Sequence, residues 1–209
     1  MGAVGKPTVV AVSRDEMHHF SKAPVTAITL VAGLGVLGDA HAGTLVQHRS
    51  RVRLDPNQPN LRQVHLIQQE LFEDARAAGY ELAPGDLGEN ILTSGVDLLS
   101  LPVGTRLTMG EAVVRLTGLR NPCAQINTFR PGLLTVVLAR GDGTPSEEPA
   151  RPTGSAEAAG ASVAGDCGVT AYIRKAGVMA VVETGGEVRP GQPILLTLPE
   201  GPHQPLAPV

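Results

Sequence analysis

A mainly β fold with a few short helices is what this 209-residue chain predicts, and three features carry the prediction. From Pro84 to Leu119 short apolar runs are broken by Gly or Pro every several residues, the punctuation of a compact β-rich fold rather than of βαβ units. Ala112, Val114 and Leu116 alternate with Val113, Arg115 and Thr117, so that stretch reads as a strand with two unlike faces. Only one segment, Gln68 to Ala78, shows a clear helical period: Leu71, Phe72, Ala75 and Ala78 share a face. Glu70, Glu73 and Asp74 lie opposite, and Gly79 is placed to stop the helix.

In chain order, Thr8 to Ser13 predicts the first strand and Val25 to Val31 the second. Gly33 to Gly43 holds too many glycines for a helix and predicts a loop with close backbone approach. It is neither a dinucleotide fingerprint nor a P-loop, since the glycine spacing fails and no Gly-Lys-Ser/Thr closes it. Gln47 to Asn60 is polar and reads as a solvated surface loop. Val64 to Ile67 is a short strand preceding the helix. Gly132 to Arg140 reads equally as helix or strand. Gly141 to Ser162 lacks any large apolar side chain and is expected to be a mobile excursion within the domain. Gly168 to Ile173, Val178 to Glu183 and Ile194 to Leu198 predict the remaining strands. Gly185-Gly186 forms a turn from which Glu187 to Gly191 leads out, and residues 199–209 are expected to be a loose tail.

Composition narrows the function classes. Aromatic residues make up 2% of the chain and the formal charge is -3, so neither stacking platforms nor a basic footprint for nucleic acid is present. No stretch approaches the roughly 20 apolar residues that span a bilayer, and the N-terminus turns polar too early for a signal peptide. The two cysteines, Cys123 and Cys167, are no disulfide framework, which makes a reducing cytoplasm the expected compartment and leaves a redox pair open.

The polar residues gather in four clusters: Asp39 with His41, Arg62 with His65, Asp86 with Glu89 and Asn90, and Arg120-Asn121-Pro122-Cys123. Asn121 suits a helix N-cap and Pro122 the first helical position. Cys123 would then sit in a first turn, near unpaired N–H groups and Arg120, as a nucleophile, sulfur carrier or soft-metal ligand. The competing reading is a buried cysteine acting as a small apolar residue. Asp86 and Asn90 read either as turn-pinning groups or as ligand groups. His65 reads first as a satisfied core or rim histidine, and His41 as the better site candidate. His18, His19 and His48 read as surface residues. A hydrolytic metal held by Asp39, His41, His65, Asp86 and Cys123 is the rival chemistry, although no HxH or HExxH spacing supports it.

Taken together, GLGVLGDAHAG (33–43), RQVHLI (62–67), PGDLGENILTSGVDLLSLPVGTRLTMG (84–110), VVRLTGLRNPC (113–123) and AGVMAVVETGGEVRPGQPI (176–194) resemble the MOSC family. This is the domain at the C-terminus of molybdenum cofactor sulfurases, which also occurs as free-standing bacterial proteins. The resemblance implies a β-barrel-like domain over residues 25–198, preceded by an N-terminal strand and lead-in over 1–24. It implies the molybdenum cofactor (molybdopterin), with Cys123 as the catalytic sulfur and metal ligand. Asp39, His41, Arg62, His65, Asp86, Asn90, Arg120 and Asn121 are the candidate cofactor-binding residues. The implied activity is sulfur transfer, or reduction of N-hydroxylated compounds with electrons from a donor protein; a non-catalytic cofactor carrier is the alternative. Expected partners are a small-molecule substrate or a protein that donates or accepts cofactor, with no nucleic acid and no membrane. Pyridoxal phosphate, which the family label also carries, is not expected, because Lys6, Lys22 and Lys175 lie in none of the polar clusters. Two departures from the family pattern stand out: Gly191-Gln192 replaces a Gly-Asp pair, and the 141–162 insertion is unusually long.

Loop-closure entropy grows only slowly with length, and residues 141–162 offer nothing to bury against a core. Replacing them with a short Gly/Ser link is therefore expected to leave the thermal midpoint within a few degrees. A cooperative loss of the fold on calorimetry would show that the segment packs.

Overall fold

The computed structural model describes residues 5–47, 52–53, 55–140 and 172–209. The 141–162 excursion, Cys167 and most of the strand predicted over 168–173 lie outside them. Thirteen strands are described: β1 (Thr8–Arg14), β2 (Ala23–Val25), β3 (Ile28–Val31), β4 (Gly35–Val36), β5 (Val64–Gln68), β6 (Ile91–Ser94), β7 (Arg106–Met109), β8 (Ala112–Leu119), β9 (Leu138–Arg140), β10 (Tyr172–Arg174), β11 (Val178–Thr184), β12 (Gly186–Val188) and β13 (Ile194–Thr197). The helices are α1 (Glu70–Ala77), α2 (Gln125–Phe129) and α3 (Leu134–Val137), so the mainly β reading holds.

Eight strands form one mixed sheet in the order β13-β7-β8-β11-β5-β6-β1-β2, while β12-β3-β4 and β9-β10 form smaller sheets. The large ladder stays open. Its edge strand β13 meets the start of the next-to-last strand β1 at an isolated bridge between Thr8 and Pro193, with Val9 N–H donating to Gln192 O at 2.9 Å and Ile194 N–H to Pro7 O at 2.8 Å. The barrel-like expectation is met by this curvature and not by a closed strand ladder. β5 and β6 pair in parallel with α1 between them, one βαβ unit whose last strand lies in the Pro84–Leu119 stretch where the punctuation argued against such units.

Period-two patterning places the core. Along β8 every second residue from Ala112 to Gly118 is buried, as the alternation required. Val64 to Ile67 of β5 are all buried because the strand has a core on each face: Val64 and Leu66 join the main core, and Ile67 joins a second one. That second core holds Leu71, Phe72 and Ala75 of α1, Ile126 of α2 and Leu134 and Val137 of α3. Each fully buried Leu or Ile in these layers stabilises the fold by about 1.5–3 kcal/mol.

Three local expectations change. The second predicted strand is split into β2 and β3. The ambiguous 132–140 segment is both things in turn, α3 followed directly by β9. The C-terminal segment is not loose: Leu206 is 8% exposed within the main core, Leu119 N–H donates to Ala207 O at 2.8 Å, and Val209 N–H donates to Leu119 O at 3.3 Å. Prolines at 202, 205 and 208 forbid a helix there, but an extended strap along a strand edge suits them. No helix among the described residues is long and apolar enough to cross a membrane.

The strap leaves no room at Gly118, where an added Cβ would run into Ala207 O and the Val209 side chain. Gly118→Val is therefore expected to cost about 1–3 kcal/mol, the usual range for overpacking. Urea unfolding checks this, and an unchanged midpoint would mean that the strap is free to lift.

Candidate functional site

One row across the large sheet builds the site. Gly118 of β8 stands opposite Met179 of β11, and Met179 stands opposite His65 of β5. Asn90, just before β6, donates its N–H to His65 O at 2.8 Å, and Ser13 of β1 donates to Asn90 O at 2.9 Å. The segments leaving this row, residues 15–22 after β1 and 120–125 after β8, with the polar loop 41–47 and 58–62, enclose a cavity of about 480 Å³.

Cys123, Arg120, Asn121 and Gln125 form one wall of this cavity. His65, Asn90, Gly88 and Met179 lie toward the sheet, and Lys22, His41, Asn60 and Arg62 form the opposite side. Seven of the nine residues singled out in the sequence thus share one cavity: His41, Arg62, His65, Asn90, Arg120, Asn121 and Cys123. Asp39 and Asp86 do not line it.

Asp39 lies behind the wall as a hub. Lys22 Nζ meets its Oδ2 at 2.6 Å and Asn90 Nδ2 donates to the same oxygen at 2.9 Å. The backbone N–H of His41 donates to Oδ1 at 2.9 Å, with the His41 ring Nδ1 at 3.2 Å. Burial opposes the Asp39 charge, but hydrogen bonds from His41 and the Lys22 ammonium outweigh it and hold the carboxyl well below the usual carboxylate range. Burial likewise lowers Lys22, with Asp39 resisting. Lys22 was missed in the sequence because a lone lysine beside small residues carries no motif. Its place here corrects the expectation that the lysines avoid the polar clusters.

Asp86 is structural. Its Oδ2 accepts the Ala83 N–H at 2.9 Å and its backbone oxygen accepts Ser21 Oγ–H at 2.9 Å, which pins the turn into the Gly85–Asn90 run. Gly85 adopts φ +88°, and a Cβ there would strike Lys22 O, so this turn needs glycine. His65 is 6% exposed and places Nε2 at 2.8 Å from Ala176 O. A carbonyl only accepts, so Nε2 carries the proton. Burial, and then the Arg120 charge, keep His65 well below its usual value, hence neutral.

The Cys123 turn differs from the expectation. α2 starts at Gln125 without a side-chain cap, and the Asn121 side chain is engaged by Arg174 Nε at 3.2 Å. Cys123 precedes the helix, and its carbonyl accepts the Ile126 N–H at 3.0 Å. Its thiol is half-buried, with Sγ at 3.5 Å from Gln125 Oε1. Arg120 supplies the local positive charge: its guanidinium Nη1 is buried without a hydrogen-bond partner, and its pKa is lowered by burial against the pull of Cys123 and Glu89. Glu89 is 1% exposed; Oε1 accepts Gly85 N–H at 2.5 Å, and burial raises its pKa.

A profile of the MOSC domain matches residues 18–195. The chain belongs to the MOSC domain family. Binding of the molybdenum cofactor is associated with this family. The YuaD protein from Bacillus subtilis is similar in structure at TM-score 0.64 and 20% identity, covering 92% of this chain and 96% of that one. YiiM from Escherichia coli is similar at TM-score 0.53 and 16% identity, covering 94% of this chain and 73% of that one. YiiM from Geobacillus stearothermophilus is similar at 0.51 and 14%, covering 91% and 73%. At these identities the likeness establishes the fold. No curated protein matches the sequence.

The cavity's donor set fits an anionic, polar group with a soft metal. Arg120, Arg62 and Lys22 line it with the Gln125 amide beside one thiol, and Arg120 Nη1 lies buried without a hydrogen-bond partner. The rival hydrolytic site is not assembled. Asp39 is saturated by Lys22, Asn90 and His41, His65 by Ala176, and Asp86 by its own turn. The described residues contain no group of three or more His, Cys, Asp or Glu placed to hold a metal.

Asp39 ionises in the folded state below its ordinary value of 3.8, so its stabilisation is complete above that pH and is lost as pH falls beneath it. Asp39→Asn leaves Lys22 buried without its counter-charge and is expected to cost about 3–5 kcal/mol at pH 7. The gap between wild type and variant is expected to narrow on acidification below pH 3.8. Urea midpoints against pH measure both, and a pH-independent gap would rule out ionised Asp39 as its source.

Proposed function

We propose that the Cys123 cavity binds the molybdenum cofactor, with the Cys123 sulfur as a ligand to molybdenum, and that the protein reduces N-hydroxylated small molecules. The observation that carries this reading is Arg120, whose buried Nη1 has no hydrogen-bond partner, lining the same cavity as the only thiol among the described residues. A buried cationic donor without an acceptor is costly unless a ligand completes it. A thiolate is the soft ligand that molybdenum favours.

The cofactor, when bound, supplies two-electron redox chemistry at the metal. The chain's own residues do the rest. Arg120 and Arg62 hold an anionic group by charge-assisted hydrogen bonds. The Gln125 amide presents a donor and an acceptor suited to a pterin edge, while His65, Asn60 and Asn90, bonded within the fold, shape the cavity around it. Asp39 fixes Lys22 and His41 so that the basic wall keeps its spacing. Electrons come from a donor protein. Sulfur transfer on Cys123 is the second reading, favoured by the half-buried, chemically accessible thiol.

Protein made in a host competent for cofactor synthesis is expected to carry stoichiometric molybdenum, with pterin fluorescence after oxidation. Cys123→Ser should leave the thermal midpoint in place and abolish reduction of an N-hydroxylated amidine by an artificial donor. Arg120→Ala should lower cofactor retention roughly 10- to 100-fold, the worth of a lost charged hydrogen bond. Zinc without pterin would overturn the reading. Full cofactor without turnover would leave a carrier, and unfolding of Cys123→Ser would make Cys123 a core residue.

A further inference from the structure

A second cleft, of about 520 Å³, adjoins the cofactor cavity and shares His19, Phe20 and Gln125 with it. Its remaining lining is Asp15, Ser21, Ala23, Thr128 and Phe129, and most of its surface is apolar. We infer that this cleft is the substrate subsite, taking the flat aromatic body of a small molecule whose polar end reaches past His19 toward Cys123. The inference rests on the proposed function, which puts the cofactor in the neighbouring cavity.

Three observations support it. A cavity of about 480 Å³ lies in the lower half of the range of single-ligand sites, so cofactor and substrate need separate space. The chain has only three Phe, two Tyr and no Trp, yet Phe20 and Phe129 meet at this cleft with ring centroids 5.4 Å apart and planes tilted by 38°. Both rings are only partly covered by the second core, which leaves aromatic surface for a ligand ring to stack on.

The junction is polar on one side. His19 Nδ1 lies 2.8 Å from Asp15 Oδ2, and the same carboxylate oxygen accepts the His19 backbone N–H at 3.2 Å. Asp15 therefore sets the ring's orientation, and Nε2 makes no hydrogen bond to the described residues. A polar head group passing from the cleft into the cavity meets this nitrogen and the Gln125 amide, while the aromatic remainder stays among Phe20, Phe129 and Ala23. This also reassigns His19, which the sequence placed on the surface: it is exposed, but at the mouth between two cavities.

The test compares direct binding of two N-hydroxylated amidines by titration calorimetry on the purified full-length protein. Benzamidoxime and acetamidoxime share a head group and differ only in the ring. Benzamidoxime is expected to bind at least about tenfold tighter, from the apolar area of one buried ring. Thr128→Trp and Ala23→Phe fill the cleft from two exposed lining positions, and either should reduce benzamidoxime to the affinity of acetamidoxime without changing molybdenum or pterin content. Equal affinity for both probes, or folded variants that still prefer the ring, would overturn the subsite. Ring-selective binding by a protein without molybdenum would keep the cleft and remove the proposed function instead, so the two ideas fail separately.

Discussion

The Asp39 carboxylate is the interaction on which the site depends. Five groups from three separate stretches of chain converge on it: the Asp15 backbone N–H and Lys22 after β1, Asn90 before β6, and the backbone and ring of neighbouring His41. Asn90 in turn holds β5 through His65 and β1 through Ser13. The loop bearing His41 and the lead-in bearing Lys22 have no regular structure, and this cluster joins them to each other, helped by single bonds such as Lys22 N–H to Gly85 O and Ala40 N–H to Asp15 O. A charge buried with fewer partners would be destabilising, and one with this set is a rigid post. Its contribution is to geometry more than to net stability, because Coulomb attraction and desolvation largely cancel for a buried pair.

Arg120 stands in contrast. Its backbone is as firmly held as that of any strand residue, with N–H donating to Gly177 O at 2.9 Å and Leu119 clamped by the C-terminal strap. Gly177 permits the approach: at φ +96° it passes so close to β5 that a Cβ would lie 3.0 Å from His65 Nε2. Yet the guanidinium at the end of this anchored stem lacks a partner for Nη1. Both oxygens of the Asp39 carboxylate are fully engaged, while beside Cys123 the Arg120 Nη1 has no hydrogen-bond partner. That difference separates a structural cluster from a binding one better than any residue type does.

Much of this was legible in the sequence, for reasons that differ by element. Strand β8 follows from alternation, β1, β5, β11 and β13 from short apolar runs, and α1 from a 3.6-residue period closed by Gly79. The candidate residues were legible as motifs, and seven of the nine share a cavity. Local sequence did not separate Asp39 from Asp86, since both are acidic residues after glycine in a turn. One became the hub of the site wall through partners 17 and 51 positions away, and the other a turn pin bonded to Ala83 nearby. Lys22, His19 and the Phe20–Phe129 pair were illegible for the same reason, because each matters only through a neighbour that the fold brings from elsewhere. The C-terminal strap was misread because its prolines signal irregular backbone, while the edge of β8 that accepts it is a tertiary feature.

The order in which these parts are fixed suits the two cavities to different tasks. The first is walled by strand ends and a saturated buried cluster, so its donors cannot drift. That rigidity favours a resident group held by several simultaneous contacts, since little ordering is left for binding to impose. The second is formed by residues 15–23 and by the five-residue α2, with exposed His19 and Thr128 on its rim. A helix of that length has no stability of its own and keeps its shape through Ile126 in the second core. Such a wall can yield by small shifts to ligands of different outline without disturbing Asp39 or Arg120. Under the proposed function, one fixed cavity beside one adaptable cleft, joined through His19, Phe20 and Gln125, would let small molecules of varied outline reach the Cys123 sulfur.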